Sequence, residues 1–262
     1  MTRPEHASHA RHAGHRSPRA LATAAVTALA VGGVTAALAL GTVASTGLAR
    51  GTAQAATAAV AAAASDDPAT NVTNPAALAA CAVHGAASAA CLTASLAAVD
   101  AGRAHEHLPR LVLPTGFATW PADRQLLAVT NAERAVRGLR TVSGTDATLD
   151  AAARTAALAN RDPSLPGWTL GGHPVAGWAA NWAWGPGGVL LADFLWMYDD
   201  GLGSPNLDCT SAHRTGCWGH RHTILAFGPT ADGRLLLGGA QVTTRWGAAA
   251  TSSASELPAA VR

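Results

Sequence analysis

The sequence predicts a mixed α+β fold in which helices flank a small antiparallel sheet. Residues 121–138 and 145–157 each carry apolar side chains at helical spacing on one face. Residues 223–227 and 235–244 are apolar segments with strand character, and the dipeptide Asp232-Gly233 between them favours a hairpin turn. Helices that pack against such a hairpin give the α+β class.

The first 55 residues have the features of an export segment. Basic residues near the start precede an uncharged stretch at 20–49; they are Arg3, Arg11, Arg16 and Arg19. The run Ala53-Gln54-Ala55 is a small-residue cleavage site, so we expect a secreted, extracellular protein that begins at Ala56. The uncharged stretch is also long enough to span a bilayer, and the alternative is an uncleaved membrane anchor at the cell surface.

The charge balance gives no reason to expect a nucleic-acid partner. The chain has no lysine, and from Ala56 onward 13 arginines face 15 acidic residues, a net charge of about −2. We expect a monomer that contacts a membrane only through an uncleaved N-terminus.

Four cysteines predict two disulfides in an oxidising compartment. Of the three pairings, we favour the two that close short loops, Cys81 with Cys91 and Cys209 with Cys217. Each loop would contribute about 2.5 kcal/mol in the chain-entropy model. A zinc site is the alternative, although the sequence has no Cys-x-x-Cys spacing.

Composition divides the chain into five segments. We expect a signal peptide or anchor at 1–55, an Ala-rich spacer at 56–73, a helical extension packed on the domain at 74–119, the main domain at 120–248 and a C-terminal tail at 249–262. The extension should hold two short helices, one on each side of Gly85, which the first disulfide joins.

Local signals place the helices of the main domain. Pro121 opens a helix that stops at Gly138, and Thr145 or Asp146 caps the next one. Residues 163–188 are rich in Gly, Pro and Trp and are expected to be mostly loop. Residues 189–198 contain no charged residue except Asp193 and predict a buried helix.

Several runs in this domain together resemble the CAP superfamily, which includes cysteine-rich secretory proteins, antigen 5 and pathogenesis-related 1 proteins. The first run is Asn-Ala-Glu-Arg-Ala at 131–135, and Trp-Met-Tyr-Asp at 196–199 follows. The others are the disulfide loop from Asn206 to Cys209 and the Gly-Cys-Trp-Gly-His-Arg run at 216–221. The resemblance spans residues 120–245 and implies a CAP-like α-β-α sandwich.

The resemblance also implies a cleft that presents two histidines and two acids and sometimes holds a divalent metal. His220 matches the Gly-His motif, and Asp199 matches the acid that follows the helix tryptophan. The place of the first acid falls on Ala180, and that of the upstream histidine falls near Asp162. Half of the cleft chemistry is therefore replaced in this sequence.

The residues themselves support a cleft at His220. An imidazole beside a carboxylate can act as a general base or as a metal ligand, so His220 and Asp199 are the catalytic candidates and His220 is the metal-ligand candidate of an incomplete site. The resemblance implies that these two side chains face each other, and we therefore expect them to lie within hydrogen-bond or one-water distance. The remaining candidates for the ligand-binding cleft are Asn181, Trp184, Trp218 and His173.

Three functions of different classes remain open. The first is a secreted CAP-like module that binds a small molecule, a lipid or a cell-envelope ligand without turnover, for which no cofactor is expected. The second is a metal-assisted or acid-base hydrolase that uses the cleft of His220 and Asp199, with zinc as the candidate metal. The third is a structural envelope protein tethered to the membrane by its N-terminus.

Overall fold

The computed structural model describes residues 67–211, 216–225, 233–246 and 249–262, all within one compact unit. Helices and an antiparallel sheet are both present, so the predicted α+β class is confirmed. The predicted export segment, the predicted cleavage site and most of the predicted spacer lie outside the described residues. In the described ranges, no helix has the length and apolar character needed to cross a bilayer.

Two capped helices form the predicted extension. Helix α1 is Pro75–His84 and begins where the Asn74 side chain accepts a hydrogen bond from the backbone of the first turn. Helix α2 is Ala89–His105, and Ser88 caps it in the same way. Both helices contribute buried residues to the main hydrophobic core.

The four cysteines form the two predicted disulfides. Cys81 of α1 is bonded to Cys91 of α2, with the Cα atoms 4.3 Å apart. Cys209 is bonded to Cys217, also with a Cα separation of 4.3 Å. The first disulfide fixes the turn between the helices, and the second closes the segment before His220.

The next two helices follow their local signals. Helix α3, Ala122–Val136, starts after Pro121, and Gly138 just beyond its end has a φ of +70°, the left-handed conformation that favours glycine. Helix α4, Ala147–Leu158, starts at Asp146, whose carboxylate accepts hydrogen bonds from two backbone amides of the first turn.

Helix α5, Val189–Tyr198, is buried on nearly every face, as predicted. Burial of each large apolar side chain in it, such as Phe194 or Met197, contributes about 1.5–3 kcal/mol. Helix α6, Gly219–Leu225, corrects the strand that was predicted from residue 223. The short apolar run is compatible with a helix or a strand. The carboxylate of Asp200 stabilises the helix, because it accepts a hydrogen bond from the backbone N–H of His220 at 3.0 Å.

A long antiparallel hairpin forms the centre of the sheet. Strand β5, Arg234–Trp246, pairs with strand β6, Ala249–Val261, from Arg234 opposite Val261 to Trp246 opposite Ala249. Two predictions were therefore wrong: the partner of 235–244 is not 223–227, and residues 249–262 are not a tail. The Ala- and Ser-rich sequence of β6 hides its strand character because pairing and burial, rather than local propensity, stabilise it.

Short strands complete both edges of the hairpin. Strand β1, Gly144–Thr145, runs parallel to β5. Strands β3, His173–Trp178, and β4, Asn181–Gly185, pair one after the other with the free edge of β6, and β2, Thr169–Leu170, pairs with β3. The region 163–188, predicted to be mostly loop, thus contributes three strands to the sheet.

Helices pack on both faces of β5 through two adjacent glycines. A Cβ atom at Gly238 would collide with Leu149 of α4, and a Cβ atom at Gly239 would collide with Leu126 of α3. Because successive strand residues point to opposite faces, α3 and α4 lie on opposite sides of the sheet. Neither glycine leaves room for a side chain.

A buried ion network joins α2, α3, α5 and α6. Glu133 of α3 accepts hydrogen bonds from Arg103 at 3.0 Å, from Arg137 at 2.5 Å and from the hydroxyl of Tyr198 at 2.7 Å. Glu106, at the end of α2, binds Arg221 of α6 at 2.7 and 3.0 Å.

Arg221 follows His220 directly in the chain, and it also donates to the carbonyl of Met197 at 2.8 Å. The network therefore fixes the helix that carries the predicted site histidine.

Candidate functional site

An open cavity of about 360 Å³ lies between β4, the C-terminal end of α5, the loop at 205–208 and the start of α6. This volume matches a small-molecule site. Aromatic and acidic residues dominate the lining, which we call the His220 cavity; its lining residues are Asp162, Trp182, Ala183, Trp184, Gly185, Pro186, Leu195, Trp196, Asp199, Asp200, Pro205, Asn206, Leu207, Asp208 and His220.

His220 is held by Asp200. The Nδ1 atom of the imidazole lies 2.6 Å from Oδ1 of Asp200, and the imidazole stacks on the indole ring of Trp196 with the centroids 6.5 Å apart. Burial alone would lower the pKa of His220, but the hydrogen bond and the charge of Asp200 outweigh it and raise the pKa. No other described residue forms a hydrogen bond with Nε2, so this atom is available to a ligand.

Asp200 organises the floor of the cavity. Besides His220, its Oδ1 atom accepts a hydrogen bond from the Asn206 amide at 2.7 Å, and Oδ2 accepts the backbone N–H of His220. Burial raises the pKa of Asp200, and the hydrogen bond and charge of His220 oppose that shift. Asp200 therefore positions His220, the start of α6 and the loop that carries Asn206.

Asp199 has a different environment from its neighbour. Its side chain lines the cavity, the residue is only 5% exposed, and Oδ1 is buried without a hydrogen-bond partner among the described residues. Burial and, secondarily, the charge of Asp200 raise the pKa of Asp199 to about 6. Asp199 is thus a carboxyl group at the cavity that changes charge near pH 6 and whose Oδ1 atom no described residue engages.

Three tryptophans form the apolar wall. Trp182 is fixed by its indole N–H, which donates to the hydroxyl of Ser253 at 3.0 Å, and Trp196 is fully buried. Trp184 is 37% exposed at the cavity, and Leu207 is 71% exposed on the loop beside it. The cavity thus has a rigid aromatic base and an accessible apolar rim.

The structure brings together some of the predicted cleft residues. His220, Asp199 and Trp184 line the cavity, and so does Asp162. The two predicted partners line the same cavity, but within the described chain the imidazole forms its hydrogen bond with Asp200 and not with Asp199. The two acids follow the last residue of α5, and the backbone turn there directs the second one at His220.

The remaining predicted cleft residues lie elsewhere. Asn181 is buried behind the cavity and donates to the carbonyl of His220 at 3.2 Å. Trp218 is also buried, packs against Gly201 and donates its backbone N–H to the carbonyl of Asp200. His173 is an exposed residue at the start of β3 and does not line the cavity. The prediction that Asn181, Trp218 and His173 line the cleft was therefore wrong. Asn181 and Trp218 support the site, and His173 lies outside it.

Sequence reasoning missed several lining residues, above all Asp200 and the loop residues Asn206, Leu207 and Asp208. The sequence offered one signal: a helix that starts at Gly219 needs a hydrogen-bond acceptor for the backbone N–H groups at its N-terminus. Nothing in the sequence shows which of two adjacent acids meets that need.

The donor set does not fit a zinc site. In the described part of the chain, no three His, Cys, Asp or Glu side chains are grouped to hold a metal ion. Among the described lining residues, His220 is the one nitrogen ligand, and its Nδ1 atom is engaged by Asp200. Protein zinc sites prefer several nitrogen or sulfur ligands, so we derive no chemical step through a metal.

The chain was compared with family models, curated proteins and solved structures, and none of them matches it.

Proposed function

We propose that this protein is a secreted CAP-like module that binds a small molecule, a lipid fragment or a cell-envelope component in the His220 cavity without turnover. The observation that carries the proposal is a tryptophan-lined cavity that His220 and the carboxyl group of Asp199 also line, in which Oδ1 of Asp199 has no hydrogen-bond partner among the described residues. Apolar walls with a few convergent polar groups are typical of ligand sites.

Two features support the CAP-like α-β-α sandwich within this proposal. Helices α3 and α4 pack on opposite faces of β5, which gives the layered arrangement that the resemblance implies. The motif residues also have structural tasks: Glu133 is the centre of the ion network, and Asn131 forms hydrogen bonds with both the N–H and the carbonyl of Val142.

A thermal-shift screen tests binding. The probes are palmitate, diacetylchitobiose and choline, which represent a lipid, an envelope sugar and a small polar molecule. A probe at about 100 times its Kd should stabilise the protein by about 2.7 kcal/mol. Trp184→Ala should weaken that shift, whereas Trp168→Ala, at a more exposed tryptophan outside the cavity, should not. Equal shifts in both variants would place binding elsewhere.

An acid-base hydrolase is the second candidate, and the geometry of His220 favours it. An imidazole with Nδ1 fixed by a carboxylate and a nearby carboxyl group with a pKa of about 6 can act as base and acid at neutral pH. No serine, threonine or cysteine lines the cavity in the described ranges, so water would be the nucleophile. Turnover of a nitrophenyl ester or glycoside, lost in both His220→Gln and Asp199→Asn, would replace the binding proposal.

The third candidate function, a membrane-tethered envelope protein, depends on residues outside the described ranges. N-terminal sequencing of the exported protein separates it from the secreted form. A start at Ala56 supports secretion, whereas an intact segment 20–49 in the membrane fraction supports the tether.

A further inference from the structure

The charges around the His220 cavity are one-sided. Four carboxyl groups line it, those of Asp162, Asp199, Asp200 and Asp208, and no described arginine does. The sequence contains no lysine. With His220 protonated and all four acids ionised, the lining carries a charge of −3, from four negative groups and one positive group. An anionic ligand would therefore be repelled.

The four acids differ in what already satisfies them. Asp200 accepts hydrogen bonds from His220 and Asn206, so its charge is largely compensated. Asp199 is nearly fully buried, and its Oδ1 atom has no partner among the described residues. A buried carboxylate oxygen without a partner is costly, and a bound cation would remove that cost.

The aromatic wall favours the same kind of ligand. Trp182, Trp184 and Trp196 all line the cavity, and the faces of indole rings attract cations through the ring quadrupole. The apolar side chains of Leu195 and Leu207 complete the lining. An inorganic ion would leave these apolar surfaces without contacts, whereas an organic cation with methyl or methylene groups would cover them.

We infer that the His220 cavity selects a small organic cation, an amine or a quaternary ammonium group with an apolar surface, which the tryptophan wall surrounds and the carboxylate of Asp199 neutralises. This inference rests on the proposed ligand-binding function and names its ligand class. The carboxylates explain why the ligand carries a positive charge, and the cavity volume limits the ligand to a small molecule.

Calorimetric titration with choline and with its neutral isostere 3,3-dimethylbutan-1-ol tests the inference on the full mature chain. The two probes have the same shape and differ in charge. Choline should bind about tenfold more tightly, which is the advantage expected from cation–π contact and charge pairing. Asp199→Asn should remove most of that advantage and leave the affinity for the alcohol unchanged.

Two further variants and a change of pH give three more checks. Asp123→Asn, on α3 and outside the cavity, should leave both affinities unchanged. Lowering the pH from about 7.5 to about 5 should weaken choline binding, because Asp199 loses its negative charge and His220 becomes protonated, and should not affect the alcohol. Asp208→Asn, at an exposed lining residue, should reduce choline affinity without risk to the fold, which circular dichroism of each variant verifies.

Equal affinity for the two probes, or a choline preference that survives in both Asp199→Asn and Asp208→Asn, would overturn the inference. If neither probe binds while palmitate or diacetylchitobiose does, the cation preference fails and the proposed binding function stands. If none of the four probes binds, both fail.

Discussion

At the level of single residues, two adjacent carboxyl groups have separate tasks. Asp200 holds Nδ1 of His220 and the start of α6, whereas Asp199 lines the cavity with an oxygen that no described residue engages. The sequence resemblance pointed at Asp199 because the position fits the family pattern. Adjacent residues at a helix end diverge in direction, and only the backbone geometry shows which of them meets the imidazole.

The pKa of His220 should depend on Asp200. In the wild type, the hydrogen bond and charge of Asp200 hold that pKa above 6.5. Asp200→Asn removes the charge and should lower the pKa of His220, which a pH titration of the imidazole resonances by NMR measures. Asp199→Asn is the matched control, because Asp199 does not bond the imidazole, and it should have the smaller effect. An unchanged pKa in Asp200→Asn would contradict the pairing.

A second buried acid should make stability depend on pH. Burial raises the pKa of Glu256 to about 7, although hydrogen bonds from Thr130 and Asn181 and the charge of Arg134 oppose the shift. Because the folded protein binds this proton more tightly than the unfolded chain does, Glu256 costs stability as the pH rises from about 4.5 to about 7.

Glu256→Gln should remove that cost. Relative to the wild type, its free energy of unfolding should increase by roughly 3 kcal/mol between about pH 4 and about pH 8. Denaturant unfolding of both proteins at several pH values measures the difference. A difference that does not change with pH would mean that Glu256 titrates normally in the folded protein.

At the level of elements, helix α6 depends on an ion pair rather than on its own length. Arg221 binds Glu106 through two hydrogen bonds and also donates to the carbonyl of Met197. Glu106 in turn also binds Arg137, and these charges lower the pKa of Glu106 although burial opposes the shift. A helix of this length has little stability alone.

Glu106→Ala should therefore destabilise the protein by about 3 kcal/mol, because it leaves the buried guanidinium of Arg221 without its carboxylate and removes one of the two carboxylates that bind Arg137. The control is Arg110→Ala, which breaks the ion pair with Asp100 at a side chain that is 84% exposed and should cost under about 1 kcal/mol. Urea unfolding of both variants measures the contrast. Equal losses would show that the buried network is no more important than a surface pair.

The elements also show which parts of the fold sequence reasoning reaches. Helices α3, α4 and α5 and both disulfides were predicted because caps, apolar spacing and cysteine spacing are local signals. Strand β6 was not predicted, because its alanines and serines have little strand propensity. Its pairing with β5 is what shows that it is a strand, and a local sequence pattern does not reveal such pairing. The site was also predicted only in part. The sequence identified His220, whereas its partner Asp200 could be identified only from the fold.

At the level of the whole molecule, the C-terminal residues are part of the core. Strand β6 pairs with β5 on one edge and with β3 and β4 on the other, and Leu257, Ala259 and Glu256 are fully buried. The site depends on this strand as well, since β4 carries Trp182 and Trp184 into the cavity wall.

A chain that ends at residue 248 should therefore fail to fold. It loses the central strand and exposes the apolar faces of α3 and α4. Circular dichroism and gel filtration should show an unfolded or aggregated product. Removal of Arg262 alone is the control and should leave the fold intact, because this exposed residue follows the last strand. A folded, monomeric protein that lacks 249–262 would contradict the described sheet.

The most direct test of the account is a two-dimensional NMR spectrum of the tryptophan indole N–H groups, recorded with and without choline, palmitate and diacetylchitobiose. If the His220 cavity is the ligand site, at least one probe should shift the resonances of Trp184 and Trp196, which line it, and leave that of the exposed Trp168 in place. Shifts confined to Trp168, or no shift with any of the three probes, would contradict the central claim.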